Sequence, residues 1–313
     1  MASRGCPHFC CFCASHSVHT RKMRYHSLNR IESDLLFLKT EYSIRTVIFQ
    51  DDHFLSNKNR ALEIIKILRK LELTAFFPNS LALYALDWKI LEALSSIGVK
   101  HLVLSVESGS EKVLKDIMHK PLDLSIIKRV IGDCRELNIA TDVSILIGLP
   151  GETKGDIEDT ISFMKSISPT WYRISMATPL VGSEMYSICE EGNYLKGDII
   201  ECDFKRPIIE TEDFTPEFIQ EKAYLLNLEL NFVENPDLKL KNYEQALKGF
   251  ENAIRVKADH AFALYYAAVC SKQLSFDDKA ALYEMRYKEV VSSSEYWRNY
   301  CCKFGLPIWE LEK

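Results

Sequence analysis

The sequence predicts an α/β fold with a parallel sheet, followed by a helical region. Short runs rich in β-branched residues alternate with amphipathic segments between residue 30 and residue 176, and polar or glycine residues follow several of these runs directly. After residue 216 the apolar residues recur at helical spacing only. Alternating strands and helices build a parallel sheet that helices cover. When such a sheet closes into a barrel, the active-site residues lie at the carboxyl ends of the strands.

The individual elements follow from periodicity and from capping residues. The predicted strands are short and apolar, and they span residues 45–50, 73–77, 99–106, 140–147 and 171–176. Predicted helices lie between them, over residues 30–38, 57–71, 87–97, 123–137 and 154–167, with one more that begins at Ser110. Asn57 is a suitable N-cap residue. The sheet and its helices therefore account for the first 180 residues.

The second half of the chain changes character. The alternation stops between residues 194 and 206, so we predict a barrel domain over residues 1–206 and a helical region over residues 207–313. Residues 216–231 read as a helix, and a second apolar stripe begins at Tyr243. The stripes over about 240–290 resemble a tetratricopeptide (TPR) helix pair. An ordinary helical cap on the first domain is the alternative.

Composition narrows the class of protein. The 313 residues carry a formal net charge of −5, which gives no overall basic footprint for nucleic acid. A local basic run covers residues 19–24. No apolar run reaches membrane-spanning length, and no signal-peptide core precedes the first motif. Ten cysteines, four of them within eight residues, suit a reducing compartment with a metal site, so we expect a cytoplasmic protein.

The densest chemical signal is the cysteine loop at the start of the chain. Cys6, Cys10 and Cys13 follow the spacing C-x3-C-x2-C. Three thiolates on a loop with Gly5 and Pro7 can converge on one metal centre, and iron–sulfur clusters are held by such thiolates. Three cysteines would leave one iron of a [4Fe–4S] cluster without a protein ligand. That iron can bind a substrate or cofactor.

Two alternatives stay open for this loop. Structural zinc usually takes four ligands, and a histidine from the set His8, His16 and His19 could complete three cysteines. The thiols could also be free of metal. Cys11 lies inside the motif, and we interpret it as a bystander.

The cysteine spacing, with the aromatic Phe12 before the last cysteine, resembles the radical S-adenosylmethionine (radical SAM) superfamily. The resemblance implies a [4Fe–4S] cluster whose open iron chelates the amino and carboxylate groups of SAM. One electron then cleaves SAM to methionine and a 5′-deoxyadenosyl radical, which acts on the substrate. It also implies a partial (β/α)6 barrel and an electron donor similar to flavodoxin or ferredoxin.

The resemblance covers roughly residues 4–183. The matching segments look like the branch often fused to a cobalamin-binding domain, and they span residues 3–7, 51–54, 106–110, 147–153 and 179–183. Only five residues precede Cys6, so we expect the first strand to be missing or very short. His53 follows the pattern Asp-x-His, but Ser56 stands where a cobalt-binding segment needs glycine. We therefore expect this chain alone not to bind cobalamin tightly.

The resemblance also implies candidate cofactor contacts at the strand ends. The family holds the SAM amino group after the second strand, the ribose or methionyl end after the fourth, and adenine at the fifth. We add to these positions the aromatic residue of the cysteine loop and the residues at the end of the sixth strand. The candidate cofactor contacts are then Phe12, Gln50, Asp51, Asp52, Glu107, Ser108, Ile147, Gly148, Thr178 and Pro179.

The sequence thus predicts a radical SAM enzyme of unassigned substrate and unassigned catalytic residues. Methyl transfer or another radical modification fits the resemblance. A protein partner at the helical region is a further expectation, and we expect no membrane contact. Two rival hypotheses are a zinc-stabilised protein without catalysis and a TPR-type interaction protein.

Overall fold

The computed structural model describes residues 1–200 and 202–308. The chain forms two compact units. The first comprises Met1–Pro169 and Arg173–Ala223, and the second comprises Thr170–Tyr172 and Tyr224–Lys313. The domain boundary that we predict near Pro207 stays a prediction.

Seven short strands are present in the described residues. They are β1 (Ser3–Arg4), β2 (Arg24–Tyr25), β3 (Thr46–Ile48), β4 (Thr74–Phe76), β5 (His101–Glu107), β6 (Ala140–Ile147) and β7 (Trp171–Met176). β3 pairs with β4 in parallel, β5 pairs with β6 in parallel, and β7 lies beside β6. The parallel α/β arrangement is therefore confirmed. Closure of the strands into a barrel stays a prediction.

The first strand differs from a strand of a parallel barrel. β1 is two residues long and pairs with β2 in antiparallel register, so that Ser3 lies opposite Tyr25 and Arg4 opposite Arg24. This ribbon encloses the cysteine loop in sequence. Neither β2 nor the short helix after the loop was expected from the sequence.

Helices precede β3 and separate β3 to β7 as predicted, and two helices that the sequence did not predict lie before β2 and after β7. In chain order, the helices are α1 (Ser15–His19), α2 (Leu28–Tyr42), α3 (Lys58–Lys70), α4 (Trp88–Ser96), α5 (Ile127–Glu136), α6 (Lys154–Lys165), α7 (Glu184–Glu191) and α8 (Pro216–Leu228). Asn57 caps α3 by accepting the backbone N–H of Arg60 at 3.0 Å, which confirms its predicted role. α3 buries the predicted apolar stripe, including Ile64 and Leu68.

One helical prediction needs correction. The helix expected from Ser110 is largely a π-helical turn over Val113–Ile117, in which the N–H of Met118 bonds the carbonyl of Val113 at 2.7 Å. This five-residue spacing is the π pattern, which often occurs at functional sites.

The helix predicted over residues 123–137 also starts differently. It begins with a 3-10 turn, Leu124–Ile126, because Asp123 accepts the nearby N–H of Ser125. The regular helix α5 follows only from Ile127.

The second unit is helical. Its elements after α8 are a π-helical turn (Glu229–Val233), α9 (Pro236–Lys239), α10 (Tyr243–Val256), α11 (Ala261–Gln273), α12 (Asp277–Ser293) and α13 (Glu295–Lys303). The π turn replaces the last residues of the helix predicted over 216–231. Large aromatic side chains fill the core, among them Phe232, Phe250 and Trp297, each at most 1% exposed. The TPR assignment stays a prediction.

None of the helices in the described residues combines the length and the apolar character needed to cross a bilayer.

Candidate functional site

The cysteine loop forms one wall of a cavity of about 200 Å³ in the first unit. The thiol-bearing residues Cys6, Cys10 and Cys13 all line this cavity. The loop is shaped by Gly5, whose φ of +95° is in the left-handed region that favours glycine. A side chain there would collide with the backbone carbonyl of Lys22. The sequence thus brings three thiols to one place through a backbone turn that needs glycine.

The cavity is a partly dehydrated environment for these thiols. Burial raises the pKa of the Cys6 and Cys10 thiols, and negative charge on Cys13 raises both further. Without a bound metal the two groups therefore favour the neutral thiol. Binding of a metal requires the thiolate and releases the proton.

Cys11 lies apart from the other three. Its side chain is 2% exposed, and it does not line the cavity. Its backbone N–H donates to the carbonyl of Met118 at 3.0 Å, and its carbonyl accepts the N–H of Met185 at 2.9 Å. Burial raises the pKa of its thiol to about 12. These contacts give Cys11 a packing role.

Asp51 binds the segment that precedes the loop. Its carboxylate is buried and accepts the backbone N–H groups of Ala2 and Ser3. The Ser3 hydroxyl donates to the same carboxylate at 2.6 Å. Asp51 does not line the cavity. Its oxygens are already occupied by the chain's own donors.

Asp52 binds residues on both sides of the cysteine loop. Its carboxylate accepts the N–H of Gly5 at 2.9 Å, the hydroxyl of Ser15 at 2.6 Å and a bond from Nδ1 of His19 at 2.8 Å. Gly5 directly precedes Cys6, and Ser15 follows Cys13 by two residues. Burial by itself would raise the pKa of Asp52, but these hydrogen bonds outweigh it and lower that pKa. Asp52 is therefore ionised and holds both ends of the loop through hydrogen bonds.

Glu107 lies at the end of β5 and points into the same cavity. Its φ is +70°, and the pairing of β5 with β6 shifts register between Ser105 and Glu107. Such bulges re-aim a side chain, and unusual backbone angles in non-glycine residues cluster at functional sites. Burial raises the pKa of the Glu107 carboxyl, while Lys120 opposes that rise.

Lys120 completes this part of the cavity. Its Nζ is 3.8 Å from Oε1 of Glu107 and 5.9 Å from the centre of the Phe12 ring. The Lys120 and Glu107 side chains are 16% and 13% exposed, so both charges are largely shielded from water. The cavity thus holds one lysine and two carboxyl groups, those of Asp52 and Glu107, beside the three thiols.

A cluster of three rings, those of His8, His53 and Tyr84, also lines the cavity. The hydroxyl of Tyr84 is 3.0 Å from Nε2 of His8 and 2.5 Å from Nε2 of His53. Burial lowers the pKa of His53 to about 4, so that imidazole is neutral at physiological pH. All three residues line the cavity.

The structure does not bring every expected contact to this cavity. Asp52, Glu107 and Phe12 line it, whereas the other predicted residues do not, namely Gln50, Asp51, Ser108, Ile147, Gly148, Thr178 and Pro179. The hydroxyl of Ser108 is fully buried and lies 2.9 Å from that of Thr160, so its partner is α6. The Thr178 hydroxyl donates to the carbonyl of Met176 at 3.3 Å. Their cofactor roles stay predictions.

The turn after β6 is held by a third carboxyl group. Glu152 is fully buried, and its Oε2 accepts the N–H of Gly148 at 2.6 Å and that of Leu149 at 3.2 Å. Gly148 has a φ of +87°. Burial raises the pKa of Glu152 to about 7, although the two backbone hydrogen bonds favour the charged form.

Comparison with known proteins identifies the family. The sequence profile of the radical SAM superfamily matches residues 2–164, which is more than half of the chain.

The chain belongs to the radical SAM superfamily.

Two curated relatives carry methyltransferase names. An uncharacterized methyltransferase of Pyrococcus horikoshii is 27% identical over 233 residues, which cover 72% of this chain and 50% of the relative. The cytidylyl-2-hydroxyethylphosphonate methyltransferase of Streptomyces wedmorensis is 27% identical over 193 residues, which cover 60% of this chain and 36% of the relative. This radical SAM chain therefore spans half or less of the length of these relatives.

A solved structure supports the fold. The radical SAM methyltransferase TsrM from Kitasatospora setae, determined with cobalamin and a [4Fe–4S] cluster bound, has a TM-score of 0.54 at 15% identity. The match covers 94% of this chain and 60% of TsrM. At this identity the likeness concerns the fold.

The donor set fits the cluster that radical SAM enzymes use. A zinc ion needs its ligands at about 2.0–2.3 Å from one centre. Within residues 1–200 and 202–308, no three His, Cys, Asp or Glu side chains are placed to bind a single metal ion. A [4Fe–4S] cluster differs because each thiolate binds a different iron, which spreads the sulfurs apart. Three cavity-lining cysteines are chemically suited to that arrangement.

Sequence reasoning missed several members of this radical SAM cavity, among them Lys120 and Tyr84. Lys120 follows the π-helical turn, and Tyr84 belongs to a 3-10 turn after β4. Neither has a motif of its own, and each reaches the cavity through the fold. The only sequence signal is their position after predicted elements, where functional residues are frequent.

Proposed function

We propose that this chain is the catalytic core of a radical SAM enzyme in which Cys6, Cys10 and Cys13 bind a [4Fe–4S] cluster. One observation carries the proposal: the three thiols share a cavity with an aromatic ring, a carboxyl group and a lysine. When bound, the cluster supplies the electron that cleaves SAM. The chain's own residues hold the loop, bind SAM and restrict the access of water.

The loop is held ready for the cluster by two carboxylates. Asp51 binds the backbone before the loop, and Asp52 binds donors on both of its sides. Hydrogen bonds to charged acceptors contribute about 1.5–3 kcal/mol each. This preorganisation reduces the entropy that the loop loses when the thiolates bind iron.

The pair formed by Glu107 and Lys120 suits the methionyl end of SAM. That end carries an ammonium and a carboxylate, so it needs one anionic and one cationic partner. Glu107 and Lys120 supply one of each in the same shielded cavity. Charge-assisted hydrogen bonds are stronger than neutral ones. We assign Glu107 to the ammonium and Lys120 to the carboxylate.

The aromatic and glycine positions complete the proposed SAM site. Phe12 offers a flat apolar surface beside the thiols. For the adenine we retain the end of β6 at Ile147 and Gly148, which is a prediction from the family pattern. The cofactor roles of Gln50, Asp51, Ser108, Thr178 and Pro179 stay predictions.

Methyl transfer is the reaction class in the names of the two relatives described above, and we propose it for this chain. The fold neighbour TsrM also carries that name. We propose a cytoplasmic methyl-transferring enzyme that receives its electron from a separate reductant. We also retain two predictions. A protein partner binds at the TPR-like helices, and residues 1–313 alone do not bind cobalamin tightly.

Anaerobic reconstitution with iron and sulfide tests the proposal. We expect the brown colour and the broad visible absorbance of an iron–sulfur cluster, with four irons per chain as in one cubane. After reduction with dithionite in the presence of SAM, the protein should slowly release 5′-deoxyadenosine. A colourless protein with stoichiometric zinc would contradict the proposal and support the zinc-stabilised alternative.

A further inference from the structure

A second cavity adjoins the one that holds the three thiols. It has a volume of about 630 Å³ and is lined by residues 111, 114–115 and 119–124. Lys120, Pro121 and Leu122 line both cavities, so the two spaces meet along this segment. We call the second cavity the outer pocket. Of the residues proposed above for the cluster and for SAM, Lys120 alone also lines the outer pocket.

The volumes of the two cavities suit different occupants. Pockets that enclose small molecules usually measure about 300–1,000 Å³. The cavity with the thiols measures about 200 Å³, and the proposed cluster and the methionyl end of SAM have to share that space. The outer pocket lies inside the usual range. A substrate therefore has room in the outer pocket, next to the place where the proposed radical forms.

The backbone that builds the outer pocket is irregular in two places. The π-helical turn over Val113–Ile117 supplies two lining residues, and beyond it the N–H of Lys120 donates to the carbonyl of Leu114 at 2.8 Å. His119 has a φ of +52°, a left-handed value that is uncommon for a residue other than glycine. π turns and residues with unusual backbone angles cluster at functional sites. Both features favour a ligand site over a purely structural turn.

The buried part of the lining is apolar. Leu114 and Leu124 are 2% and 7% exposed, and Leu122 is half-buried. Packing the apolar part of a ligand against these leucines is favourable because it removes apolar surface from water. The outer pocket therefore suits a ligand with an apolar body.

Lys115 provides an exposed positive charge in the lining. The other two basic residues of the lining have carboxylate partners: Nδ1 of His119 lies 3.4 Å from Glu184, and Nζ of Lys120 lies 3.8 Å from Glu107. Within residues 1–200 and 202–308, no carboxylate forms an ion pair with Lys115. An anionic group on a ligand would supply the missing partner.

The π turn explains why Lys115 has no partner within its own helical segment. Glu111 precedes Lys115 by four residues, and on an α-helix this order and spacing favour an ion pair. The π turn that begins at Val113 changes the number of residues per turn, so a spacing of four no longer stacks two side chains. The second carboxylate of the lining, Asp123, accepts the N–H of Ser125 at 2.8 Å. Lys115 therefore remains available to a ligand.

We propose that the outer pocket binds the substrate, and that this substrate is an amphipathic organic anion. Its apolar body packs on Leu114, Leu122 and Leu124, and its carboxylate or phosphate group pairs with Lys115. Lys120 stays with the proposed SAM site. The inference rests on the proposed function, because only SAM cleavage in the adjoining cavity makes the ligand a substrate.

An organic cation bound by Glu111 is the competing ligand. The charges favour an anion because Lys115 and Lys120 both line the outer pocket, whereas Asp123 is engaged by a backbone N–H. Binding of a cation is therefore one of the outcomes that the test can return.

The test uses naphthalene probes of similar size that differ in charge: 2-naphthoate, 2-naphthyl phosphate, 2-naphthylmethanol and 2-naphthylmethylammonium. Their Kd values are measured by calorimetry on the full chain, before and after reconstitution with iron and sulfide. The variants are Lys115→Ala and the charge-retaining Lys115→Arg. Lys248→Ala, which removes an exposed lysine on α10, is the matched control.

We expect both anions to bind more tightly than the neutral alcohol, and the ammonium probe to bind most weakly. Lys115→Ala should weaken the binding of the anions by about threefold to fivefold at low salt, as is typical of one exposed ion pair. Lys115→Arg and Lys248→Ala should both keep the native Kd to within about twofold. The anion that binds more tightly identifies the acidic group of the substrate as a carboxylate or a phosphate.

Two results would overturn the proposal: anions that bind no more tightly than the alcohol, or an equal loss of affinity in Lys115→Ala and Lys248→Ala. Tightest binding of the ammonium probe, lost in Glu111→Gln, would instead assign the outer pocket to an organic cation.

A second measurement links the outer pocket to the proposed chemistry. The better anion should change the rate at which the reduced chain, loaded with SAM, releases 5′-deoxyadenosine. Lys115→Ala should require about threefold to fivefold more of this anion for half of that change. No change at a saturating concentration would overturn the assignment of the pocket to the substrate. Failure of the native chain to bind iron, with probe binding intact, would refute the proposed function while the anion site itself stands.

Discussion

The ends of β3 and β5 carry carboxylates in equivalent positions but use them differently. Asp51 and Asp52 follow β3, and their oxygens accept hydrogen bonds from Ala2, Gly5 and Ser15. Glu107 ends β5 and lies beside Lys120 at the cavity. A strand end provides a place for a functional carboxylate, but neighbouring donors decide whether it supports a loop or binds a ligand.

The largest expected effect concerns the loop that the β3 end supports. Changing Cys6, Cys10 or Cys13 to Ala should abolish stoichiometric cluster binding, because each change removes a proposed iron ligand. Cys11→Ala is the matched control within the same loop and should keep its iron. Iron and acid-labile sulfide per chain measure both outcomes. Retention of iron by Cys10→Ala, together with loss in Cys11→Ala, would show that the ligand assignment is wrong.

The next effect tests the β3 carboxylate directly. Asp52→Ala should destabilise the loop by about 1.5–3 kcal/mol, because it leaves partly buried donors without their charged acceptor. Reconstituted iron should fall severalfold, and Asp52→Asn should recover part of it because its amide oxygen still accepts a hydrogen bond. If Asp52→Ala keeps its full iron content but no longer binds SAM, Asp52 after β3 binds the cofactor, as we propose for Glu107 at the end of β5.

A third strand end gives a pH test. Folding raises the pKa of Glu152 to about 7 because the carboxyl is buried. The folded state therefore binds its proton more tightly, so this group's contribution to stability falls as pH rises from about 4.5 to about 7. At pH 8, ionisation of the buried Glu152 carboxyl lowers the free energy of unfolding by on the order of 3 kcal/mol.

The matched variant for this test is Glu152→Gln, which keeps an oxygen for the Gly148 and Leu149 N–H groups. The difference in unfolding free energy between the variant and the native chain should grow in favour of the variant over the same pH range. Urea unfolding at several pH values measures it. A difference that is independent of pH would mean that Glu152 is not protonated near neutrality in the folded chain.

The smallest effect concerns the β5 carboxylate. Glu107→Gln should weaken SAM binding by about tenfold, as expected for the loss of one charge-assisted hydrogen bond. Iron content should be unchanged. Binding of SAM can be followed by its effect on the electron paramagnetic resonance spectrum of the reduced cluster. Lys120→Met should act in the same direction, whereas iron loss in Glu107→Gln would place this residue with Asp52.

Local sequence patterns predicted much of the fold. The strand at residues 140–147 and the cap at Asn57 depend on residues that are close in the chain, so period and capping chemistry were enough. The cysteine spacing likewise predicted a set of three cysteines that the structure places in one cavity. The π-helical turn at Val113–Ile117 escaped prediction because it depends on a backbone hydrogen-bond pattern that ordinary helical sequences also allow.

The sequence by itself determined the order of strands and helices from α2 to β7, the cysteine loop and the set of carboxylates at strand ends, but not the β1–β2 ribbon or α1. Tertiary structure alone decided that Asp52 reaches Gly5, 47 residues away, and that Ser108 faces Thr160, 52 residues away. It also decided that Lys120 and Tyr84 join the cavity. The physical reason is that backbone periodicity acts between neighbours in the chain, whereas a buried polar group takes whichever partner the packed chain places within hydrogen-bonding distance.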